Sequence, residues 1–383
     1  SRLTCTPIMA GINGPSRVVA VIPPVTGRTR LDPMARRSPP SPDMFPRPRI
    51  LHLAHNKADP RAWTDAFRTA IAEIGDLTVV EEGELLSDTE ASIRIQDCDI
   101  LVTSWGARAV PTSLATEPGD LRYICHLTGG MRTTIPLKLI DAPIAVTNWG
   151  DAQARSVAEG AVTLLLACLK GLRFRIERIA AGDWRLPDEF RSGMMNQLDL
   201  GIYGCGFIGR CFIDMVRPMG PNLHVFDRYV ADVPDGCERV ADLDTLFDRS
   251  HTVAIHAGLS SETEGSVTAR LLARLPDGGI LINTGRGAIV DQEALFAELE
   301  SGRIRAGLDV LKPPEELAPD HPARGWPNLI LTGHSLSQPF PKAYEAADAF
   351  EPMHHICIDN LRRHLKGEPL QFVMDRRRYE LST

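Results

Sequence analysis

The stretch from Asp199 to Asp227 constrains the fold more than any other part of this 383-residue chain. A short apolar run is followed by the glycine pattern Gly204-Cys205-Gly206-Phe207-Ile208-Gly209, by a segment with helical periodicity, and by a second apolar run that ends at Asp227. A glycine pattern alone is a weak signal, because glycine-rich turns are common. Strand, glycine turn, helix, strand and acidic residue in this order are typical of a dinucleotide-binding unit.

Each position of the glycine pattern has a physical task. Gly204 permits the tight turn after the strand, and Gly206 lacks the Cβ atom that would block a pyrophosphate. Gly209 allows the helix and the strand to pack closely. The backbone N–H groups at the start of the helix, at Phe207 and Ile208, face the negative charge of the phosphates.

Asp227 is expected to select the cofactor. It follows the glycines by roughly 20 residues, where a carboxylate accepts hydrogen bonds from the ribose hydroxyls of adenosine. The same charge would repel a 2′-phosphate, and the neighbouring Arg228 weakens this preference only slightly. We therefore predict that the cofactor is NAD and that both residues belong to its binding site.

Composition and charge exclude several other classes of function. A net charge of −7, with 43% hydrophobic and 24% charged residues, argues against nucleic acid or an anionic membrane as the partner. The eight cysteines show no metal-ligand spacing, so we expect reduced thiols, no metal site and a cytoplasmic location. No apolar run approaches the ~20 residues of a transmembrane helix.

The rest of the chain alternates between strand and helix patterns, apart from residues 1–47. That segment is rich in proline and arginine and predicts a disordered extension. One long helix is predicted over Val157–Ile179, connecting two domains, and a final helix over Pro341–Leu365, returning to the first domain. Strands are predicted at residues 50–54, 77–80, 100–103, 121–125, 144–147, 200–203, 224–226, 252–256, 279–283, 306–310 and 328–332.

This alternation predicts an α/β fold with two Rossmann-like domains and a cleft between them. Residues 48–152 and 336–383 form the substrate domain, a flavodoxin-like parallel sheet with helices. Residues 153–335 form the doubly wound, NAD-binding domain.

Paired glycines mark one loop of the first domain. Ligands of open parallel sheets bind beyond the carboxyl ends of the strands, where Gly129 and Gly130 follow a predicted strand. Their backbone N–H groups could bind a carboxylate as a nest, and Arg132 could add a charged clamp. A glycine turn followed by a solvated arginine explains the same residues equally well.

Three polar side chains follow consecutive strands of the second domain: Arg286, Glu315 and His334. Behind a dinucleotide pattern they suit hydride transfer at the carbonyl carbon of a 2-oxo acid. A histidine titrates near neutrality and can donate the proton, and a carboxylate beside it favours the imidazolium and fixes the ring. An arginine can bind the substrate carboxylate and polarise the carbonyl. We therefore assign His334 as acid/base, Glu315 as its partner and Arg286 as the substrate clamp.

The run Asn283–Asp291 resembles the N-x-x-R-G-x-x-V-D signature of the D-isomer-specific 2-hydroxyacid dehydrogenases. Ala306–Val310, Asp320–Pro322 and Pro327–His334 resemble the blocks that follow it in that family, and the similarity extends from about Ile50 to about Pro369. The resemblance implies an NAD-dependent homodimeric enzyme that interconverts a small D-2-hydroxy acid and its 2-oxo acid.

The resemblance also implies roles for single residues. The catalytic trio of the family falls on Arg286, Glu315 and His334, and the loop that holds the substrate carboxylate by backbone N–H groups falls around Gly130. Asp309 is expected near the nicotinamide side of the cofactor, and His256 falls where the family has its cofactor-facing histidine. Thr284 is also expected to bind the cofactor.

Three departures from the family pattern affect this transfer. The usual position of the glutamate is occupied by Pro314, so an inserted residue would let Glu315 serve, with Glu316 as the alternative. Gly333 replaces the usual proline before the histidine, which predicts a looser loop. Arg132 stands where an acidic or polar residue is common. It indicates a second anionic group on the substrate, or an ion pair with a carboxylate of the protein.

Two other functions remain open. A formate- or phosphite-type dehydrogenase would share the fold, but a formate enzyme is expected to carry a glutamine where Glu315 stands. An NAD-sensing scaffold similar to corepressors is the non-enzymatic alternative, although no peptide-docking or DNA-binding module is visible. The sequence does not identify the side chain of the 2-oxo acid.

Overall fold

The computed structural model describes residues 47–53, 62–80, 86–185, 192–337 and 350–381. The predicted extension, residues 1–47, lies outside the described residues except for Arg47, which pairs with Asp76. Ala54 at the end of the first predicted strand and residues 341–349 of the predicted final helix also lie outside them.

The first sheet has five parallel strands in the order β2-β1-β3-β4-β5, the flavodoxin-like order that the sequence predicts. Every residue of β3 and β4 is buried, as expected for strands covered by helices on both faces. Its elements are β1 (Arg49–Leu53), α1 (Asp65–Ile74), β2 (Asp76–Val80), α2 (Asp88–Gln96), β3 (Ile100–Thr103), β4 (Tyr123–His126), α3 (Leu137–Ile140) and β5 (Ala145–Thr147).

The second sheet has seven parallel strands in the order β12-β11-β10-β9-β6-β7-β8, which is doubly wound as predicted. The sequence did not predict β8, a largely exposed edge strand of three residues that is too short to show alternation. Its elements are α4 (Ala154–Leu169), α5 (Leu172–Ala180), β6 (Asp199–Tyr203), α6 (Phe207–Val216), β7 (Asn222–Phe226), β8 (Cys237–Arg239), α7 (Leu243–Asp248), β9 (Thr252–Ile255), α8 (Ala269–Leu272), β10 (Ile280–Asn283), α9 (Gln292–Glu300), β11 (Arg305–Leu308) and β12 (Leu329–Leu331).

The predicted single helix over Val157–Ile179 is wrong, because two helices occupy that segment. Gly171 adopts a left-handed backbone (φ 56°), which ends α4 at Leu169 and lets α5 start in a new direction. The apolar residues of α4 pack against the second sheet, whereas α5 has no buried residue. Apolar spacing continues across the break, so periodicity alone could not reveal it.

The last part of the chain returns to the first sheet, as predicted. Helix α10 (Pro352–Lys366) ends at Gly367, and its residues Met353 and Leu361 lie in the same core cluster as β1 and β3. Val373 then forms an antiparallel bridge with Thr147 of β5, and α11 (Arg376–Leu381) follows. Among the described residues, no helix combines the length and the apolar character that crossing a bilayer requires.

Three buried histidines make the stability of this fold sensitive to acid. Burial lowers the pKa of His52 to about 2, with a further contribution from the charge of Arg68. It lowers the pKa of His126 to about 4 and that of His256 to about 3. A histidine of the unfolded chain takes up its proton near pH 6.5, so the unfolded state binds more protons below that pH.

We therefore expect the free energy of unfolding to fall by an amount on the order of 6 kcal/mol between pH 7 and pH 5, since each of three histidines contributes nearly 2 kcal/mol over this window. Urea titrations at the two pH values, followed by tryptophan fluorescence, measure the effect. His126→Asn should reduce the loss by about a third. Equal urea midpoints at pH 7 and pH 5 would contradict the expectation.

Candidate active site

A cavity of about 1360 Å³ is lined by loops of both sheets, at the carboxyl ends of the strands. Arg132, Gly209 and Glu315 are the predicted site residues that do not line it. Five of the predicted site residues that line the cavity directly follow strands of the second sheet: Gly204, Asp227, His256, Thr284 and Asp309. The others are Gly129, Gly130, Gly206, Phe207, Ile208, Arg228, Arg286 and His334.

The glycine turn has the geometry that a dinucleotide needs. Gly204 has φ 100°, and a Cβ atom there would lie 2.5 Å from the backbone nitrogen of Ala257. A Cβ atom on Gly209 would lie 2.1 Å from the carbonyl oxygen of Gly204, so only glycine allows this packing. At Gly206 a Cβ atom would meet no protein atom within 4 Å and would project into open space instead.

The start of α6 is the anion-binding element of this turn. No side chain caps it, because Gly206 is the N-cap residue, and Phe207 and Ile208 begin the helix at the wall of the cavity. The first N–H groups of a helix have no partner within the helix, and the helix dipole adds positive charge there. These residues fit the pyrophosphate of a dinucleotide.

The carboxylate of Asp227 is anchored at the end of β7. One oxygen accepts from the backbone N–H of Cys205 (2.6 Å), and the other from those of Tyr229 (2.8 Å) and Val230 (2.9 Å). This fixes an acid beside the glycine turn, where a ribose would lie. Arg228 also lines the cavity, and its guanidinium pairs with Glu262 at 3.5 Å.

His256 and Thr284 form the inner wall. The imidazole of His256 packs on the ring of Phe212 (centroids 4.6 Å apart), and neither ring nitrogen has a hydrogen-bond partner among the described residues. The hydroxyl of Thr284 is likewise buried and unpaired within the described part of the chain. Buried polar atoms without partners are costly, so their presence at this wall fits a polar ligand.

Arg286 lies on a turn that Asn283 shapes. The side-chain oxygen of Asn283 accepts from the N–H of Gly285 (3.0 Å), and its amide donates to the carbonyl of Arg286 (3.1 Å). Burial lowers the pKa of the Arg286 guanidinium, whereas the negative charge of Glu315 acts in the opposite direction. Since arginine keeps its proton in proteins, the cavity contains a partly desolvated cation.

His334 is hydrogen-bonded to Glu315, with 2.7 Å between Nδ1 and Oε2. The sequence left Glu316 open as an alternative, but Glu315 is the residue that makes this contact. His334 has a left-handed backbone (φ 55°), and so has Gly333 (φ 63°). Proline cannot adopt that conformation, which explains the glycine at the position before the histidine.

Asp309 organises the loop that carries His334. Its Oδ1 atom accepts from the hydroxyl of Thr332 (2.5 Å) and from the backbone N–H groups of Ser335 and Leu336 (both 3.2 Å). The sequence predicts a looser loop, but the buried carboxylate of Asp309 holds it by three hydrogen bonds.

The Gly129–Gly130 loop uses its carbonyl groups within the protein and leaves its N–H groups unused among the described residues. Asn148 donates to the carbonyl of Gly129 (3.0 Å), and the Trp105 indole donates to that of Gly130 (3.0 Å). Neither glycine N–H donates to an acceptor within the described part of the chain. A Cβ atom on Gly129 would lie 2.6 Å from the ring of Trp149, so a larger residue does not fit.

Arg132 is not brought to the cavity. Its guanidinium donates to the carbonyls of Tyr379 (3.3 Å) and Glu380 at the end of α11, and to that of Leu259 (3.5 Å). Sequence reasoning also missed Asn148 and three residues of the C-terminal segment that line the cavity, Asp375, Arg377 and Arg378. No motif marked them, since their place depends on contacts that are distant in sequence.

Comparison with known proteins identifies the family to which the chain is similar. Residues 162–335 match the sequence pattern of the D-isomer specific 2-hydroxyacid dehydrogenase NAD-binding domain. The chain is 29% identical over 308 residues to a hydroxypyruvate reductase from Blautia hydrogenotrophica, which covers 78% of this chain and 92% of the relative. It is 30% identical over 295 residues to an (S)-sulfolactate dehydrogenase from Chromohalobacter salexigens, which covers 76% of this chain and 90% of the relative.

The fold itself is that of D-mandelate dehydrogenase from Rhodotorula graminis, with a TM-score of 0.70 over 86% of this chain and 98% of that chain, at 21% identity. The predicted α/β class and the predicted NAD cofactor are thereby confirmed. A glycine turn shaped for a dinucleotide and these similarities lead to one conclusion: the chain belongs to the D-isomer specific 2-hydroxyacid dehydrogenases, a family of NAD-binding oxidoreductases.

Proposed function

We propose that the chain interconverts a D-2-hydroxy acid and its 2-oxo acid with NAD(H). The hydrogen bond between His334 and Glu315, at the edge of the cavity that Arg286 lines, carries this proposal. The enzyme would act on a small molecule in the cytoplasm, as a homodimer, with residues 153–335 as its NAD-binding domain.

The side chains of the cavity match the needs of carbonyl reduction. Bound NADH would supply a hydride to the carbonyl carbon of the substrate. If Nδ1–H of His334 donates to Glu315, Nε2 carries the proton that the substrate oxygen must gain, and the carboxylate stabilises the imidazolium. Arg286 would hold the substrate carboxylate and polarise the carbonyl. The N–H groups of Gly129 and Gly130 would bind the other side of that carboxylate.

A screen of 2-oxo acids for oxidation of NADH tests the proposal directly. We expect reduction of at least one of glyoxylate, hydroxypyruvate, phosphorylated and branched 2-oxo acids, with a D-2-hydroxy acid as the product. Formation of NADH from formate or phosphite, without reduction of any 2-oxo acid, would support the rival dehydrogenase instead. Binding of NAD without any turnover would favour the sensing scaffold.

Glu315→Gln should lower kcat about 10- to 100-fold, because a charged partner of the histidine becomes neutral and a charge-assisted hydrogen bond is lost. Glu316→Gln, which changes the next residue of the same loop, is the matched control and should stay within threefold of the parent. Steady-state kinetics of both variants decide between the two glutamates. A larger loss in Glu316→Gln would reverse the assignment.

Asp227→Ala should reduce the preference for NADH over NADPH, expressed as the ratio of their Kd values, at least tenfold. The substitution removes the acceptor for the ribose hydroxyls and the charge that repels a 2′-phosphate. The ratio of the two Kd values measures this effect. Asp232→Ala is the control, since Asp232 is an exposed acid in the same loop. An unchanged ratio in Asp227→Ala would mean that Asp227 does not select the cofactor.

A further inference from the structure

The C-terminal segment 372–381 is built into the cavity wall. Met374 and Tyr379 are buried in the core of the first sheet, and the Tyr379 hydroxyl donates to the carbonyl of Ile135 (2.7 Å). The N–H of Met374 donates to the carbonyl of Val146 in β5 (2.8 Å). Together with the contacts of Arg132, these anchors fix the orientation of α11.

Three consecutive arginines of α11 have three different environments. Arg376 pairs with Asp141 on the outer surface (2.6 Å). Arg377 lies over the ring of Tyr229, a residue of the loop after β7, with 5.6 Å between the Cζ atom of Arg377 and the ring centroid. Arg378 is half-buried and lines the cavity.

Arg378 is connected to the Gly129–Gly130 loop, the predicted substrate loop, through the side-chain amide of Asn148. Its Nη2 atom donates to the side-chain oxygen of Asn148 (2.8 Å), and the nitrogen of the same amide donates to the carbonyl of Gly129 (3.0 Å). Its contact with α6 is indirect. The guanidinium lies 5.3 Å from the ring centroid of Phe372, and that ring meets the ring of Phe207 edge-on at 5.9 Å. The guanidinium is thus associated with the substrate loop rather than with the phosphate-binding turn.

The charge of Arg378 is only partly compensated. No carboxylate of the described residues forms an ion pair with it, although Asp375 and Asp151 act on its charge from a distance. One carboxylate oxygen of Asp375 is engaged by the backbone N–H of Arg378 itself (2.6 Å). The guanidinium is half-buried, and this burial lowers its pKa. A guanidinium has five N–H donors, and the protein uses few of them here.

We propose that Arg378 binds a second anionic group on the substrate, a carboxylate, phosphate or sulfonate carried by the side chain of the 2-oxo acid. This inference rests on the proposed function and deepens it. The carboxylate next to the carbonyl group of the 2-oxo acid would be held at Gly129–Gly130. The second anionic group of the acid would be bound by Arg378, which Asn148 connects to that loop. The sequence offered such a role for Arg132 as one of two alternatives, but that cation holds the end of α11.

The experiment compares acids that differ only in the second anionic group: oxaloacetate with pyruvate, and 3-phosphohydroxypyruvate with hydroxypyruvate. For each pair, we compare kcat/KM for the acid that has the second anionic group with kcat/KM for the acid that lacks it. In Arg378→Leu this ratio should fall about 10- to 100-fold, the loss expected for a charge-assisted contact. Arg378→Glu should lower it further, and Arg378→Lys should restore part of it. The ratio cancels any general damage to the enzyme.

Arg376→Gln is the matched control, because it removes an arginine of the same helix whose exposed ion pair contributes little to stability. It should leave the ratio unchanged. A fall of both kcat/KM values in Arg378→Leu with an unchanged ratio would overturn the proposal. So would a raised KM for NADH with an unchanged ratio, which would assign the guanidinium to the cofactor.

Calorimetric titration of the NAD-loaded protein with the same acids separates this inference from the proposed function. Weaker binding of oxaloacetate, but not of pyruvate, to Arg378→Leu supports the anion site even if no acid is turned over. Turnover of 2-oxo acids with equal binding losses for both acids would support the proposed reaction and refute the anion site.

Discussion

His334→Asn is expected to lower kcat for reduction of a 2-oxo acid by about 100- to 10,000-fold, the contribution typical of a general acid. Asparagine tolerates the left-handed backbone that His334 adopts (φ 55°), so this change removes the titrating group while it preserves the loop. Steady-state kinetics at saturating NADH measure the loss.

The control for this variant is His355→Ala, which removes an exposed histidine of α10. It should retain parental turnover, and fluorescence titration should show the same Kd for NADH in His334→Asn as in the parent. Turnover of His334→Asn within threefold of the parent would remove the histidine from the mechanism.

Arg286→Gln is expected to reduce kcat/KM by about 100- to 1,000-fold, the range found when a preorganised donor to a developing oxyanion is removed. The loss should appear in KM as well as in kcat, since the guanidinium would bind the substrate carboxylate in the ground state too. Arg286→Lys should recover only part of the activity, because an ammonium lacks the planar fork.

Arg270→Gln is the control for the Arg286 variants, since Arg270 forms a surface ion pair with Asp244. The Kd for NADH should be the same in all of these proteins. If Arg286→Gln weakens NADH binding and leaves the KM of the 2-oxo acid unchanged, the arginine serves the cofactor and our assignment is wrong.

Local patterns were sufficient for most of the second sheet and for the glycine turn. Strand β10 (Ile280–Asn283) lies within the predicted range 279–283, because a short apolar run defines it. The start of α9 is equally local, because the Asp291 side chain accepts from the N–H of Ala294 in its own helix. The positive φ of Gly204 is likewise a local feature, and so is the clash that a Cβ atom on Gly209 would have with the carbonyl oxygen of Gly204. Such features depend on neighbours in sequence, which a single sequence shows.

Contacts between segments that are distant in the chain could not be predicted from the sequence. Arg132 donates to carbonyl groups 247 and 248 residues further along the chain, so its spacing in the sequence carried no sign of this use. Arg378 reaches Asn148 across 230 residues in the same way. The choice between Glu315 and Glu316 also required the shape of a proline-containing loop, which counting could only approximate.

The central claim is that His334 and Arg286 act on the same carbonyl group. A crystal structure of the complex with NADH and oxamate, an unreactive analogue of a 2-oxo acid, tests it most directly. We predict that the oxamate carbonyl oxygen lies within hydrogen-bond distance of Nε2 of His334 and of the Arg286 guanidinium, with the nicotinamide ring stacked against the same molecule. Oxamate bound away from both side chains, or a nicotinamide ring on the far side of the cavity, would contradict the claim.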